Sequence, residues 1–382
     1  MMTPARTARI TAAAGAALAA AVGLAAPASA ATPFHTGSHS SAVFVQTDNP
    51  GGNTVVAYDR AADGSLTAAG SYATGGLGGV LAGSAVDHLA SQGSLAYDRE
   101  HQLLYAVNAG SNTVTVFAVH GDRLRRTQQI ASGGSFPVSV AVHGNLVYVA
   151  NALGGGSVQG FVRIGDRLVS IPSWNRGLGL DPSATPQFTH TPGEIAFTPD
   201  GTRLVVTTKA AANSIDVFRL SASGAPAATP VVNTEPGAVP FGFVFDSAGR
   251  LQVTEAGGNA VATFTVGRDG RVTALGAPAA TGQAATCWIV RDGNHLYASN
   301  AGSGSLSGYT TGAHSSLTPL GNTATDGGTV DAAASSDGRY LYAQTGASGV
   351  VDEYRVGAGG SLTPVGSVTV PGAAGGEGIV AQ

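Results

Sequence analysis

The side chains of this chain that could do chemistry are few and far apart. Charged residues make up 11% of the sequence, and Lys209 is the only lysine. Two carboxylates, Glu194 and Glu255, fall with Lys209 at the ends of strand-like runs. A carboxylate held near a cation can take a proton from water or from a carbon acid, while the cation steadies the developing oxyanion. We therefore take Glu194, Lys209 and Glu255 as the candidate catalytic groups. Trp174, Arg176 and His190, in one long connection, and Asp331 are the candidates for holding a substrate. No cofactor and no metal are expected. The lysine does not follow a glycine as in a phosphate loop, the nine histidines lack ligand spacing, and one cysteine cannot build a thiolate site. There is no G-x-S-x-G nucleophile elbow.

Groups so scattered can act together only if the fold gathers them, and the repeats say how. The stretches LLYAVNAGSNTVTVF (103–117), LVVTTKAAANSIDVF (204–218), RLQVTEAGGNAVATF (250–264), HLYASNAGSGSLSGY (295–309) and YLYAQTGASGVVDEY (340–354) each read as strand, tight turn, strand. VFVQTDNPGGNTVVAY (43–58) and VYVANALGGGSVQGF (147–161) fit with small shifts. The closing aromatics are Tyr58, Phe117, Phe161, Phe218, Phe264, Tyr309 and Tyr354, spaced 59, 44, 57, 46, 45 and 45 residues apart. Asp-Gly turns such as Pro199-Asp200-Gly201 and Asp269-Gly270 flank the hairpins, so each unit holds four strands. Seven units of four antiparallel strands predict an all-β, seven-bladed β-propeller over residues 41–382. The final strand, Gly378–Gln382, should complete the first blade and close the ring, hiding both sheet edges.

In such a ring the first strand of each blade lines the axis, and the end of the second strand meets it on one face. In register, Gly378, Ser94, Ser139, Glu194, Gly242, Thr286 and Asp331 form one ring there. Asn49, Asn108, Asn151, Lys209, Glu255, Asn300 and Thr345 form the other. Two long insertions, 75–92 with Asp87 and His88 and 171–192 with Trp174, Arg176, Asp181 and His190, open on the same face. One pocket is expected there, mouthed by Trp174 and floored by Glu194, Lys209 and Glu255, with displaced pKa values.

The N-terminus reads differently. Arg6 and Arg9 precede an alanine-rich apolar run that ends at Ala28-Ser29-Ala30, the layout of a secretory signal peptide cleaved after Ala30. Residues 31–40 form a flexible N-terminal segment. The expected location is extracellular, with no membrane contact after cleavage. The net charge of −4 and the lack of a basic stripe exclude a nucleic-acid partner. The closed ring is expected to be a monomer with a small-molecule ligand or substrate.

The repeat PGEIAFTPDGTRLVVTTKAAANSIDVFRL (192–220), the YAVNAGSNTVTVF-like hairpins and G-S-L-T-P at 360–364 resemble the lactonase-type seven-bladed propeller family. That family includes 6-phosphogluconolactonases and carboxymuconate-cyclising enzymes. The resemblance spans 41–382 and implies hydrolysis or cyclisation of a small anionic lactone or sugar acid at the channel mouth. The family's P-R-H at the start of a first strand is matched here by Pro192-Gly193-Glu194, and its N-E by Thr208-Lys209. Any catalysis then rests on a rearranged set, Glu194, Glu255 and Lys209, with Lys209 and Arg176 holding the carboxylate. The alternative is a non-enzymatic propeller that binds a ligand, a cell-wall polymer or a partner protein.

Overall fold

The computed structural model describes residues 41–312 and 316–382. The predicted signal peptide and the segment 31–40 lie outside the described residues. The rest forms seven antiparallel four-stranded sheets, six of them from consecutive strands and one joining both ends of the ring, with short extra strands at Arg176–Gly177 and Ala279–Ala280. The first strands of successive blades pack on one another around a common axis. Among the described residues, no helix is long and apolar enough to cross a membrane.

The ring closes as the period requires. Ile379–Ala381 pairs antiparallel with Ala42–Gln46, with Val45 opposite Ile379 and Val43 opposite Ala381. The first blade therefore runs Leu66–Ala73, Thr54–Arg60, Ala42–Gln46, Ile379–Ala381 from rim to axis. The second and third strands of each blade carry the core, because both of their faces meet neighbouring blades. Tyr58, Phe117, Phe161, Phe218, Phe264, Tyr309 and Tyr354 are each no more than 3% exposed. The outer strands face water on one side and alternate accordingly, as in Leu362–Thr369.

Four of the first strands are irregular where they enter the axis. Bulges fall between Pro137 and Ser139, Pro240 and Phe243, Thr286 and Trp288, and Thr329 and Ala332. A bulge leaves its extra residue outside the ladder and re-aims the side chains beside it. Phe241, Cys287 and Asp331 lie in these bulges. The repeat thus breaks its own regularity where the seven blades converge.

Asn108 and Asn300 show how the blade ends are fixed. Asn108 Nδ2 donates to Thr113 Oγ1 (3.0 Å) and Thr115 Oγ1 (2.9 Å), and its Oδ1 accepts from Asn53 Nδ2 of the blade before (3.1 Å). Asn300 Nδ2 reaches Ser305 and Ser307, while Thr286 Oγ1 donates to its Oδ1 (2.6 Å). These amides tie strands and blades together.

Candidate functional site: an acidic chamber on the axis

Five carboxyl groups converge where the first strands start. Glu194 and Asp331 stand on blades 4 and 7, and Glu377 lies just before Gly378 and the closing strand. Asp48 follows the second strand of blade 1 in the left-handed region, at φ +51°. Asp87 comes from the first insertion. Their exposures run from 0% for Asp48 and Glu377 to 8% for Glu194.

Backbone amides hold most of them in place. Leu89 N (2.8 Å) and Ser91 N (2.9 Å) donate to the two oxygens of Asp87. Glu377 N donates to Asp48 Oδ2 (2.8 Å), and Gln46 Nε2 donates to Asp48 Oδ1. Gly93 N donates to Glu377 Oε1 (2.9 Å) and Phe243 N to Glu194 Oε2 (2.6 Å). Ala332 N donates to Asp331 Oδ1 (2.9 Å). The charge of Asp331 falls on Glu377 and raises it further, so Glu377 holds its proton while Asp331 is ionised.

Burial dominates the electrostatics. It pushes Asp48 up to about 8, and the charge of Asp87 adds to the rise against the hydrogen bonds that Asp48 accepts. Asp331 is raised to about 7 and Asp87 to about 6, the latter held down by its two amide donors and by Lys209. Glu194 and Glu377 are raised well above the ordinary carboxyl range, first by burial and then by neighbouring carboxylates. A desolvated group of like charges keeps protons that an exposed group would lose.

The first insertion fills the channel above these groups. Gln92 spans the axis to blade 6: Ile289 N donates to Gln92 Oε1 (2.8 Å), and Gln92 Nε2 donates to Ile289 O (3.1 Å). Trp288 Nε1 donates to Ser91 O (2.6 Å), Ser91 Oγ to Val138 O (2.9 Å), and Ser139 Oγ to Gln92 O (2.7 Å). His88 N reaches Gly375 O (2.8 Å), and Gln92 N reaches Gly193 O (3.0 Å). Residues 87–92 are therefore a plug, and the open pocket expected from the repeats is closed.

Lys209 belongs to that closure. Its three donors reach Ala90 O in the first insertion (2.5 Å), and Phe188 O (2.7 Å) and Thr191 Oγ1 (2.8 Å) in the second. Its Nζ lies 5.3 Å from the Phe241 ring centroid. Burial lowers it to about 7, against the opposing pull of Asp87 and Cys287. Among the described residues no ion pair joins it to Glu194.

The remaining predicted residues are elsewhere. Glu255 ends the second strand of blade 5 and is raised to about 7 by burial and by Glu235. Trp174 is 8% exposed and stacks on Tyr148, with centroids 6.1 Å apart, inside the core between blades rather than at the mouth. Arg176 spends its guanidinium on carbonyls, with Nε on Ala227 O (2.9 Å) and Nη2 on Pro226 O (2.8 Å). His190 Nδ1 lies 2.9 Å from Pro186 O within its own loop.

Thus Glu194 and Asp331 face each other on the axis and Lys209 meets the chamber through Asp87, while Glu255, Trp174, Arg176 and His190 do not join them. Asp48 and Glu377 were missed by one position each, since Asn49 and Gly378 were read into the rings. Asp87 and Gln92 were seen only as loop residues. Among the described residues, no three His, Cys, Asp or Glu are arranged to hold a metal ion.

This architecture defines the class: a seven-bladed β-propeller. Residues 251–377 match the family model described as lactonase, 7-bladed beta-propeller. A search of curated proteins finds no match. Solved structures share the fold. A Bacteroides uniformis protein assigned as a 6-phosphogluconolactonase is 19% identical, with a TM-score of 0.74, over 90% of this chain and 100% of its own. The Pseudomonas aeruginosa periplasmic gluconolactonase is 18% identical, with a TM-score of 0.69, over 89% and 98%. Virginiamycin B lyase from Staphylococcus aureus is 12% identical, with a TM-score of 0.54, over 76% and 88%.

Proposed function

We propose that this protein is an exported lactonase-like hydrolase whose acid–base pair is Asp331 and Glu377. The observation that carries the reading is a pair of buried, neighbouring carboxyls: Asp331 ionises near 7, and its charge keeps the proton on Glu377. The ionised member takes a proton from the attacking water. The protonated member gives one to the ring oxygen that leaves when the lactone opens. This division of labour needs two carboxyls with separated pKa values, which crowding of like charges supplies.

The chamber sets the substrate class. It holds five carboxyl groups, and the donors of its one lysine are already taken. Arg176 is bound to carbonyls elsewhere. A neutral lactone, such as one derived from a sugar, suits this chamber better than the anionic substrate that the family resemblance implies. Hydrolysis of neutral and anionic lactones by the purified protein, compared with Asp331→Asn and Glu377→Gln, tests the reading. Turnover confined to neutral lactones and lost in both variants is expected. Equal rates in all three proteins would reject it.

One observation favours the second reading, a non-enzymatic binding propeller: the chamber carboxyls are no more than 8% exposed beneath the plug. In that case the ligand, cell-wall polymer or partner protein meets the outer surface of the insertions, where Leu77 (44%) and Val80 (48%) are exposed. Binding abolished by Leu77→Ser and Val80→Ser, with no lactone turnover in any variant, would establish it.

A further inference from the structure

We propose that residues 87–92 are a gate over the axial chamber, and that Lys209 is the latch that holds it shut. The inference rests on the assignment of the chamber as the reactive site and concerns its regulation.

Three observations lead there. First, the plug is irregular chain rather than strand, and it leaves the channel at Gly93, whose φ is +87°. Second, its ties to the ring gather on two blades, through Val138 and Ser139 on one and Trp288 and Ile289 on the other, and one side chain, Lys209, reaches both insertions at once. A cation that joins two loops through three acceptors makes release of one loop depend on the other. Lys209 itself sits at φ +50°, a backbone region that a lysine seldom occupies, and such residues cluster at switches. Third, the plug carries a carboxylate into an acidic chamber. Asp87 feels Asp48, Asp331 and Glu377 across the axis, with Lys209 as its one cationic neighbour. Cys287 also faces Lys209 and Asp87, Glu194 faces Asp331, and His88, half-buried, lies beside Gly375.

The seat of the gate therefore depends on charge. While the chamber keeps its protons and Lys209 is an ammonium, Asp87 is attracted to its place. As pH rises the chamber carboxyls ionise and Lys209 loses its proton, so repulsion grows while the latch weakens. Both changes act to open the gate.

Cys287, the only cysteine, lies in the bulge on the chamber wall and reports on access. We would measure its modification by a small reagent, methyl methanethiosulfonate, and by a bulky aryl disulfide, dithiobis-nitrobenzoate. In both reactions the thiolate attacks a reagent sulfur and expels a leaving group, methanesulfinate or an aryl thiolate, so the bulky-to-small rate ratio cancels thiol ionisation. The ratio should rise roughly tenfold in Lys209→Met, the effect of losing the one charge-assisted hydrogen bond that reaches the gate, to Ala90 O. It should also climb in the unaltered protein between pH 6 and pH 9. Thr191→Val, which removes a single acceptor and keeps the lysine, should give a smaller rise and guards against misfolding of the first variant. A ratio that is flat with pH and equal in all three folded proteins would overturn the gate. Lactone turnover is scored separately: its absence with a moving ratio rejects the hydrolase, and a flat ratio with turnover rejects the gate alone.

Discussion

Gln92 and Ile289 exchange two hydrogen bonds across the axis, 2.8 and 3.1 Å long, although 197 residues separate them. A side-chain amide here completes a backbone pair on the inner edge of the first strand of blade 6, which has no neighbouring strand toward the axis. Substitution of Gln92 by leucine keeps the volume but leaves a buried amide and a buried carbonyl unpaired. We expect a loss of about 1–3 kcal/mol for each orphaned group, read from urea unfolding. Gln92→Glu should recover only part of this, because it keeps one acceptor and adds a charge to an acidic chamber.

Stability should be greatest near pH 4–5. Asp48, Asp87 and Asp331 have folded pKa values of about 8, 6 and 7, above the ordinary carboxyl value. Between that value and the folded one, the folded state binds more protons than the unfolded chain, so stability falls as pH rises. Each such group tilts the balance by about 1.4 kcal/mol per pH unit. Asp200 and Asp337 are shifted the other way by hydrogen bonds and arginines, and their contribution is lost as pH drops below 4. Lys209, lowered to about 7, opposes the carboxyls above that pH. A thermal melting series from pH 3 to pH 8 should show the maximum, and Asp48→Asn should flatten the fall on its alkaline side.

Gly346→Ala should unseat the first insertion. A Cβ at this position would stand 1.5 Å from Val86 O, the backbone that leads into the plug. Backbone cannot yield as a flexible side chain can, so Val86 and Asp87 must move. The expected result is faster hydrogen exchange at Leu89 and Ser91, whose amides Asp87 now holds, with the exchange of outer strands unchanged.

Trp174→Ala should cost about 3–5 kcal/mol of stability, as for other buried aromatic truncations. The indole stacks on Tyr148 and sits against Gly160 and Gly224, so its loss opens a cavity between blades. Ligand affinity or turnover should be unchanged in the folded fraction, which separates a packing role from a role at the mouth.

The ring was legible in the sequence because period and pattern report burial directly. Val43 and Ile379 belong to one blade because the two chain ends add to a single repeat. The chamber was legible only in part. Glu194 and Asp331 follow from register, since each stands at the start of a first strand. Glu377 sits in a Gly-Gly-Glu-Gly run that reads as a turn, and Asp48 owes its inward direction to a left-handed backbone that no pattern shows. Insertions have no register at all, so Asp87, Gln92 and the tie from Lys209 to Ala90 emerge only in three dimensions. Trp174 was misplaced for the same reason: an aromatic in a long loop can face a ligand or return to the core, and Tyr148 with Gly160 offers it a flat slot.

The account stands on buried carboxyl groups on the axis that hold their protons to unusually high pH. Carbon-13 NMR of the side-chain carboxyls, with assignments from Asp331→Asn and Glu377→Gln, follows them directly through pH. We predict that the Asp331–Glu377 pair titrates in two steps, the first near 7 and the second higher, and that Asp331→Asn moves Glu377 toward the ordinary range. Five independent titrations near pH 4 would contradict the chamber and the chemistry built on it.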